Sequence, residues 1–233
     1  MNAFKNLTTD SSIQQDKDVL GGSKFGPWES GIYDTVIDLA YVDESKGGAT
    51  GINFVFKTQE GKELRKTIYV TSGKEKGQLN YYVDKDGNKK YLPGFTQVND
   101  ICLLAVGEEL ADLETETKVL SIYNKEQAKE VPTKKEVLTS LLGKDITLGI
   151  TKIIEDKYNA PGEIRITNEI SKAFRTRDRM TANEIRSEAE VAEFHTAWAE
   201  KNTGIIIDKS GKSKGTASVN VSADKPKKSL FSK

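Results

Sequence analysis

KELRKTIYVTSGKEKGQLNYYVDKDGNKKYLPGF, residues 62–95, opens as a strand and closes as a hairpin. Leu64, Lys66, Ile68 and Val70 share one face, and Arg65, Thr67, Tyr69 and Thr71 the other. A period of two is what a strand with one buried side demands. A Gly/Lys-rich loop follows, Ser72 to Gly77, and then Tyr81-Tyr82-Val83 and Lys89-Lys90-Tyr91 flank the turn signal Asp86-Gly87. The stretch holds eight Lys/Arg against four Asp/Glu, and five aromatics: Tyr69, Tyr81, Tyr82, Tyr91 and Phe95. Single-stranded nucleic acid asks for this combination, because phosphates need counter-charge and unpaired bases need a π-face. The alternative is a solvated hairpin whose tyrosines simply suit a strand.

Upstream, Gly31 to Val42 alternates, with Tyr33, Thr35, Ile37, Leu39 and Tyr41 on one face and Asp34 and Asp38 on the other. After the loop Asp43–Ala49, a strand from Thr50 to Thr58 turns Ile52, Phe54 and Phe56 inward and Asn53, Val55 and Lys57 outward. These two strands and the one above make a three-stranded meander.

Downstream the period becomes helical. Val98, Ile101, Cys102 and Ala105 form a core stripe that Gly107 ends. Glu108 to Glu116 is acidic and exposed. Thr133-x-x-Glu136 has capping-box spacing and predicts a helix over Val137, Leu138, Leu141 and Leu142, with Gly143 as terminator. Strands Asp145–Glu155 and Glu163–Ile170 flank a turn-prone 159–162. Ser187-x-x-Glu190 predicts a last helix with Val191, Phe194, His195 and Trp198 on one stripe, His195 and Trp198 as packed side chains.

Strand, strand, strand, helix, strand, strand is the plan of an OB-fold. The predicted fold is therefore mainly β: a five-stranded Greek-key barrel over residues 31–174, with an inserted hairpin at 80–92 and short connecting helices. Around it lie an N-terminal arm (1–30) anchored by Trp28, a C-terminal helical extension (175–208) and a flexible basic tail (209–233) with seven lysines and one aspartate. An OB-fold ligand crosses the outward face of strands two and three, here Asn53, Lys57, Arg65 and Tyr69, between loops Asp43–Ala49 and Asp156–Gly162. Candidate phosphate contacts are Arg65, Lys74, Lys76, Lys89, Lys90 and Arg165. Tyr69, Tyr81, Tyr82 and Tyr91 are candidates for stacking, with Phe95 as a further one.

Composition excludes several chemistries. Among 233 residues, 35 Lys/Arg balance 35 Asp/Glu, so the tail's positive charge faces a net negative body. Cations must then be gathered locally to hold a polyanion. No run of 18 apolar residues spans a membrane, and no secretion pattern opens the chain. One cysteine makes no internal disulfide and points to a reducing compartment, and one histidine makes no Cys/His zinc set. Asp84-Lys-Asp86-Gly87-Asn88 misplaces the glycine of a calcium loop, and Gln78 stands where a phosphate-cradling loop needs lysine. No nucleophile elbow appears. The chain reads as a binder without cofactor, not as an enzyme.

Several stretches, in order along the chain, resemble bacteriophage-encoded single-stranded DNA-binding proteins with an OB-fold. They are Asp18-Val-Leu-Gly-Gly22, Gly31-Ile-Tyr33, Ala40-Tyr41, Ser45-Lys-Gly-Gly-Ala49, Glu63-Leu-Arg65 with Ile68-Tyr-Val-Thr71, Leu92-Pro-Gly-Phe95, Cys102-Leu-Leu104, Leu113-Glu-Thr-Glu116, Val131-Pro-Thr133 and Lys228-Ser-Leu-Phe231. The resemblance implies a replication, recombination and repair accessory coating exposed DNA strands in the cytoplasm of an infected host. One departure stands out. Bacterial and some phage relatives end in an acidic tail that recruits replication enzymes, whereas Lys225-Pro-Lys-Lys228 here precedes Leu230-Phe231. The tail either grazes phosphates, presents Leu230 and Phe231 to replication or recombination proteins, or only solubilises. A protein–protein adaptor on the same barrel and an RNA-binding OB protein are the rival functions.

Overall fold

The computed structural model describes residues 26–124, 127–160, 162–211 and 219–222, the last four by backbone alone. The arm before residue 26 and the tail end with Leu230 and Phe231 lie outside the described residues.

The meander is present as β1 (Gly31–Glu44), β2 (Thr50–Lys57) and β3 (Glu63–Tyr69), all antiparallel. Ile52, Phe54 and Phe56 of β2 and Leu64 and Ile68 of β3 are buried, and each contributes about 1.5–3 kcal/mol through lost water contact. The rings of Phe54 and Phe56 stack 5.2 Å apart.

Alternation in β1 fails part-way. Its register against β2 shifts between Ile37 and Leu39, so that Ile37 and Ala40 are both buried. A bulge inserts one residue and flips the face of everything after it. Leu39 and Tyr41 therefore leave the face they were expected to share with Thr35 and Ile37. The same bulge divides the partners of β1: residues 31–36 pair with β8 (Asp145–Asp156), and 36–44 with β2.

After β3 come the hairpin strands β4 (Tyr81–Val83) and β5 (Lys89–Tyr91), then α1 (Pro93–Val106). Pro93 sits in the first turn, where a missing N–H costs nothing. Val98, Ile101, Cys102 and Leu104 are buried, and burial pushes the Cys102 thiol up to about 12. Gly94 lets α1 start against β3: a Cβ there would stand 2.1 Å from the Tyr69 carbonyl oxygen.

The helix expected after Thr133 is absent. In its place is a two-stranded ribbon, β6 (Glu116–Asn124) and β7 (Lys129–Val137). Pro132 precedes the expected N-cap and would not itself bar a helix; having no N–H to donate, it is tolerated on the ribbon opposite Ser121. The carboxylate of Glu136 accepts from Thr115 and Thr117 rather than closing a capping box. Leu138 and Leu141 are buried through a single 3₁₀ turn, Thr139–Leu141. This segment brackets the β1 bulge, with Leu138 N–H donating to Ala40 O (3.0 Å) and Gly143 N–H to Ile37 O (2.8 Å).

β9 (Ile164–Phe174) pairs with β8, and β10 (Ile205–Asp208) runs parallel to β8 where β1 has ended. Between them lie α2 (Ala182–Arg186) and α3 (Glu193–Asn202). The capping box belongs to Thr181 and Glu184 at α2, whereas α3 begins at Ala192 without a side-chain cap. This corrects the assignment to Ser187 and Glu190. Of the predicted α3 stripe, Trp198 is buried while Val191 and Phe194 are exposed. Within the segment expected to be an unstructured tail, β11 (Val219–Ser222) pairs with β10.

The result is mainly β. One nine-stranded sheet runs β11-β10-β8-β1-β2-β3, with β9 on β8 and the β6–β7 ribbon leaving β1 at Tyr41↔Val137. It does not close, for no main-chain ladder joins β3 to β9 among the described residues. Across that gap Lys66 Nζ donates to Asn168 O (3.0 Å). The Asn168 side chain holds the backbone of Trp28 by two bonds, of 2.7 and 2.8 Å, which places Trp28 in the core. No helix among the described residues is long and apolar enough to cross a membrane.

Candidate nucleic-acid interface

Outward residues of β2 and β3 form a polar strip. Asn53 lies opposite Thr67, and Val55, expected to face outward, is buried opposite Arg65. Asn53 is half-buried: its amide oxygen accepts from Thr67, and its Nδ2 donates to Asp43 (3.2 Å). Asp43 also binds Lys135 Nζ at 2.6 Å. Burial alone would raise the Asp43 carboxyl, yet bonds from Lys135, Asn53 and the Glu44 amide hold it below its ordinary value.

At the end of the strip Tyr69 lies over Gly51, where a Cβ would come within 2.9 Å of the ring. Gly51 therefore makes room for an aromatic ring lying against the sheet. Tyr69 keeps 48% of its surface exposed.

Next to Tyr69 opens a cleft of about 960 Å³. One wall is the loop after β1, which carries Lys46. It is tied to the loop after β3 by Lys74 N–H to Gly47 O (2.9 Å) and Gln78 Nε2 to Gly48 O (2.7 Å). Tyr81 and Tyr82 of β4 line the cleft too, as do Leu92, Pro93 and Gly94. The cleft thus gathers Tyr69, Tyr81, Tyr82, Lys74 and Lys76, together with Lys46, a residue of the flanking loop that is not among the expected contacts. Glu75 also lines it.

Other expected contacts lie elsewhere. Tyr91 and Phe95 approach each other at 4.9 Å, and Tyr91 lines a second cleft on the far side of Pro93 and Gly94. Arg165 sits on β9, paired with Glu155 (3.1 Å), and lines neither cleft. Lys89 stands over the Tyr81 ring at 4.7 Å.

Five of the expected cations already have carboxylate partners. Lys57 meets Asp38 (2.9 Å) and Glu63 (3.3 Å), and Arg65 meets Glu63 (3.1 Å). Lys74 meets Glu44 (2.8 Å), Lys90 meets Asp84 (2.8 Å), and Arg165 is paired as above. The Arg65 guanidinium, with Lys57, holds the Glu63 carboxyl below its ordinary value. Lys46, Lys76 and Lys89 make no ion pair among the described residues. Exposed pairs of this kind are worth about 0–1 kcal/mol, so a phosphate can take over the cation at little cost.

No known protein-family model matches the chain, and neither does any curated protein.

Proposed function

We propose that the protein binds single-stranded DNA without sequence preference and without catalysis, along the β2–β3 face and into the Tyr69–Tyr82 cleft. The observation that carries this is the cleft itself: three tyrosines, two of them about half exposed, beside Lys46, Lys74 and Lys76. Rings stack any base and lysines meet any phosphate, which is sequence-tolerant chemistry.

The finer fold belongs to the same proposal. We take β1, β2, β3, β8 and β9 as the five strands of an OB barrel. In support, β1 is shared between two partners about its bulge, α1 lies between the third and fourth of these strands, and Lys66 reaches from β3 to β9. The resemblance to phage single-stranded DNA-binding proteins supports a role in phage replication, recombination and repair in the host cytoplasm. The basic tail would serve as the contact for partner proteins.

The ion pairs along the β2–β3 strip favour a second function, a protein-binding adaptor, because they lower the potential a phosphate would meet. One labelled oligonucleotide challenged with unlabelled single-stranded DNA, duplex DNA and RNA separates the functions. Single-stranded DNA should compete best, and log affinity should fall with log salt by about 0.7 per phosphate contact. Absence of binding leaves the adaptor, and RNA winning through its 2′-OH makes the protein an RNA reader. Tyr82→Ala should weaken single-stranded DNA binding about 5- to 150-fold, the value of one stacked base. An unchanged affinity would mark Tyr82 as structural only.

A further inference from the structure

The second cleft, about 830 Å³, shares Pro93 and Gly94 with the first. It lies among α1, β9, α2 and α3, and its chemistry echoes its neighbour. Tyr91, cross-strand partner of Tyr81, lines it and is 62% exposed. Phe194 lines it too, 41% exposed although it is a large apolar side chain at the start of α3. Lys172 Nζ stands 5.3 Å from the Phe194 ring centre.

The carboxylates around this cleft are already engaged. Asp100 pairs with Arg186 (2.9 Å) and Glu169 with Lys209 (3.4 Å). Glu184 accepts from the Thr181 and Phe194 amides at 2.8 and 2.9 Å. Lys172 has no carboxylate partner among the described residues. An exposed ring with an unpaired ammonium over it is poor packing against water but suits a base and its phosphate.

We infer that a single strand seated in the first cleft continues past Pro93 and Gly94, which line both clefts, into the second, where Tyr91 and Phe194 stack bases and Lys172 meets a phosphate. This extension rests on the single-stranded DNA binding proposed above. It accounts for Tyr91, which lines the second cleft and not the first. The hairpin then stands between the two stretches of the track, Tyr81 and Tyr82 lining one cleft and Tyr91 the other.

Oligothymidylates of increasing length, titrated against the intact protein and its Phe194→Ala and Lys172→Ala variants, test the extension. Short oligonucleotides that fill only the first cleft should bind all three alike. Beyond a threshold length the wild type should gain affinity, and Phe194→Ala should lose about 5- to 150-fold of it. Lys172→Ala should lower the salt slope by about 0.7, again only for the longer strands. Both variants matching the wild type at every length overturns the second cleft. A loss already present with the shortest bound strand overturns the order of occupation. If the wild type binds no oligonucleotide, the single-stranded DNA assignment itself falls.

Discussion

At the scale of single residues, Tyr69 and Glu63 decide how much of the β2–β3 face is available to DNA. Tyr69 lies down because Gly51 opposite it has no Cβ. Gly51→Val should lift the ring while suiting a strand better than glycine does. We expect single-stranded DNA affinity to fall to within about threefold of Tyr69→Ala, with the melting temperature held, as read by anisotropy titration and thermal melts; one stacked base is the amount at stake. Glu63 acts in the opposite sense, since its carboxylate engages both Lys57 and Arg65. Glu63→Gln should release Arg65, while Lys57 keeps Asp38, and raise affinity by up to about fivefold at low salt, the upper worth of an exposed pair. A fall in affinity would mean that Glu63 positions Arg65 rather than competing for it. Part of this was legible in advance: Glu63 and Arg65 are two apart on one strand face, and a period of two makes them neighbours. The pairing of Lys57 with Glu63 depends on register, which no single strand reveals.

At the scale of elements, legibility followed the strength of the local period. The patterns of β2, β3 and α1 predict both their type and the side they bury, except that Val55 on the outward side of β2 is buried as well. β7 misled because Thr133 and Glu136 have the spacing of a capping box, and the same spacing at Thr181 and Glu184 does cap a helix. What separates the two is the pairing of β7 with β6, a ribbon whose partner lies across a turn. The bulge in β1 was invisible because it is fixed by hydrogen bonds from residues 138–144, about a hundred positions away. Asn168 belongs to this class. Nothing local marks it, yet its side chain holds both the amide and the carbonyl of Trp28. Asn168→Ala should cost about 1–3 kcal/mol by leaving those half-buried backbone groups unpaired, seen as a lower urea midpoint. Trp28 fluorescence should shift to longer wavelength in the same variant, since the indole would no longer be held in the core. A variant as stable as the parent would show that packing alone keeps Trp28 in place.

At the scale of the whole molecule, the strands of the proposed barrel are joined to the C-terminal segments by charge as well as by burial. Arg179, in the turn after β9, binds the Asp34 carboxylate of β1 and donates to Thr147 of β8 (2.6 Å). Thr147 in turn donates to Asp34 at 2.7 Å. Three segments distant in sequence thus meet at one carboxylate. The hydrogen bond from Arg179 holds the Asp34 carboxyl below its ordinary value, more than offsetting burial, which acts the other way. A carboxyl whose pKa is depressed by folding binds fewer protons in the folded state than in the unfolded one. Its contribution is therefore complete above the unfolded value, about 3.9, and is lost as pH falls through the lower folded value. The Asp34 side chain is half in solvent, so screening keeps the contribution to about 1 kcal/mol or less. Asp43, Glu63, Asp178 and Glu184 are depressed as well and steepen the same acid limb. The contribution of Asp34 is read only as a difference. Urea midpoints for the parent and Asp34→Asn, followed from pH 7 to pH 3, should differ most near neutrality and converge below pH 4. Parallel curves across that range would show that Arg179 holds the turn without help from the charge on Asp34.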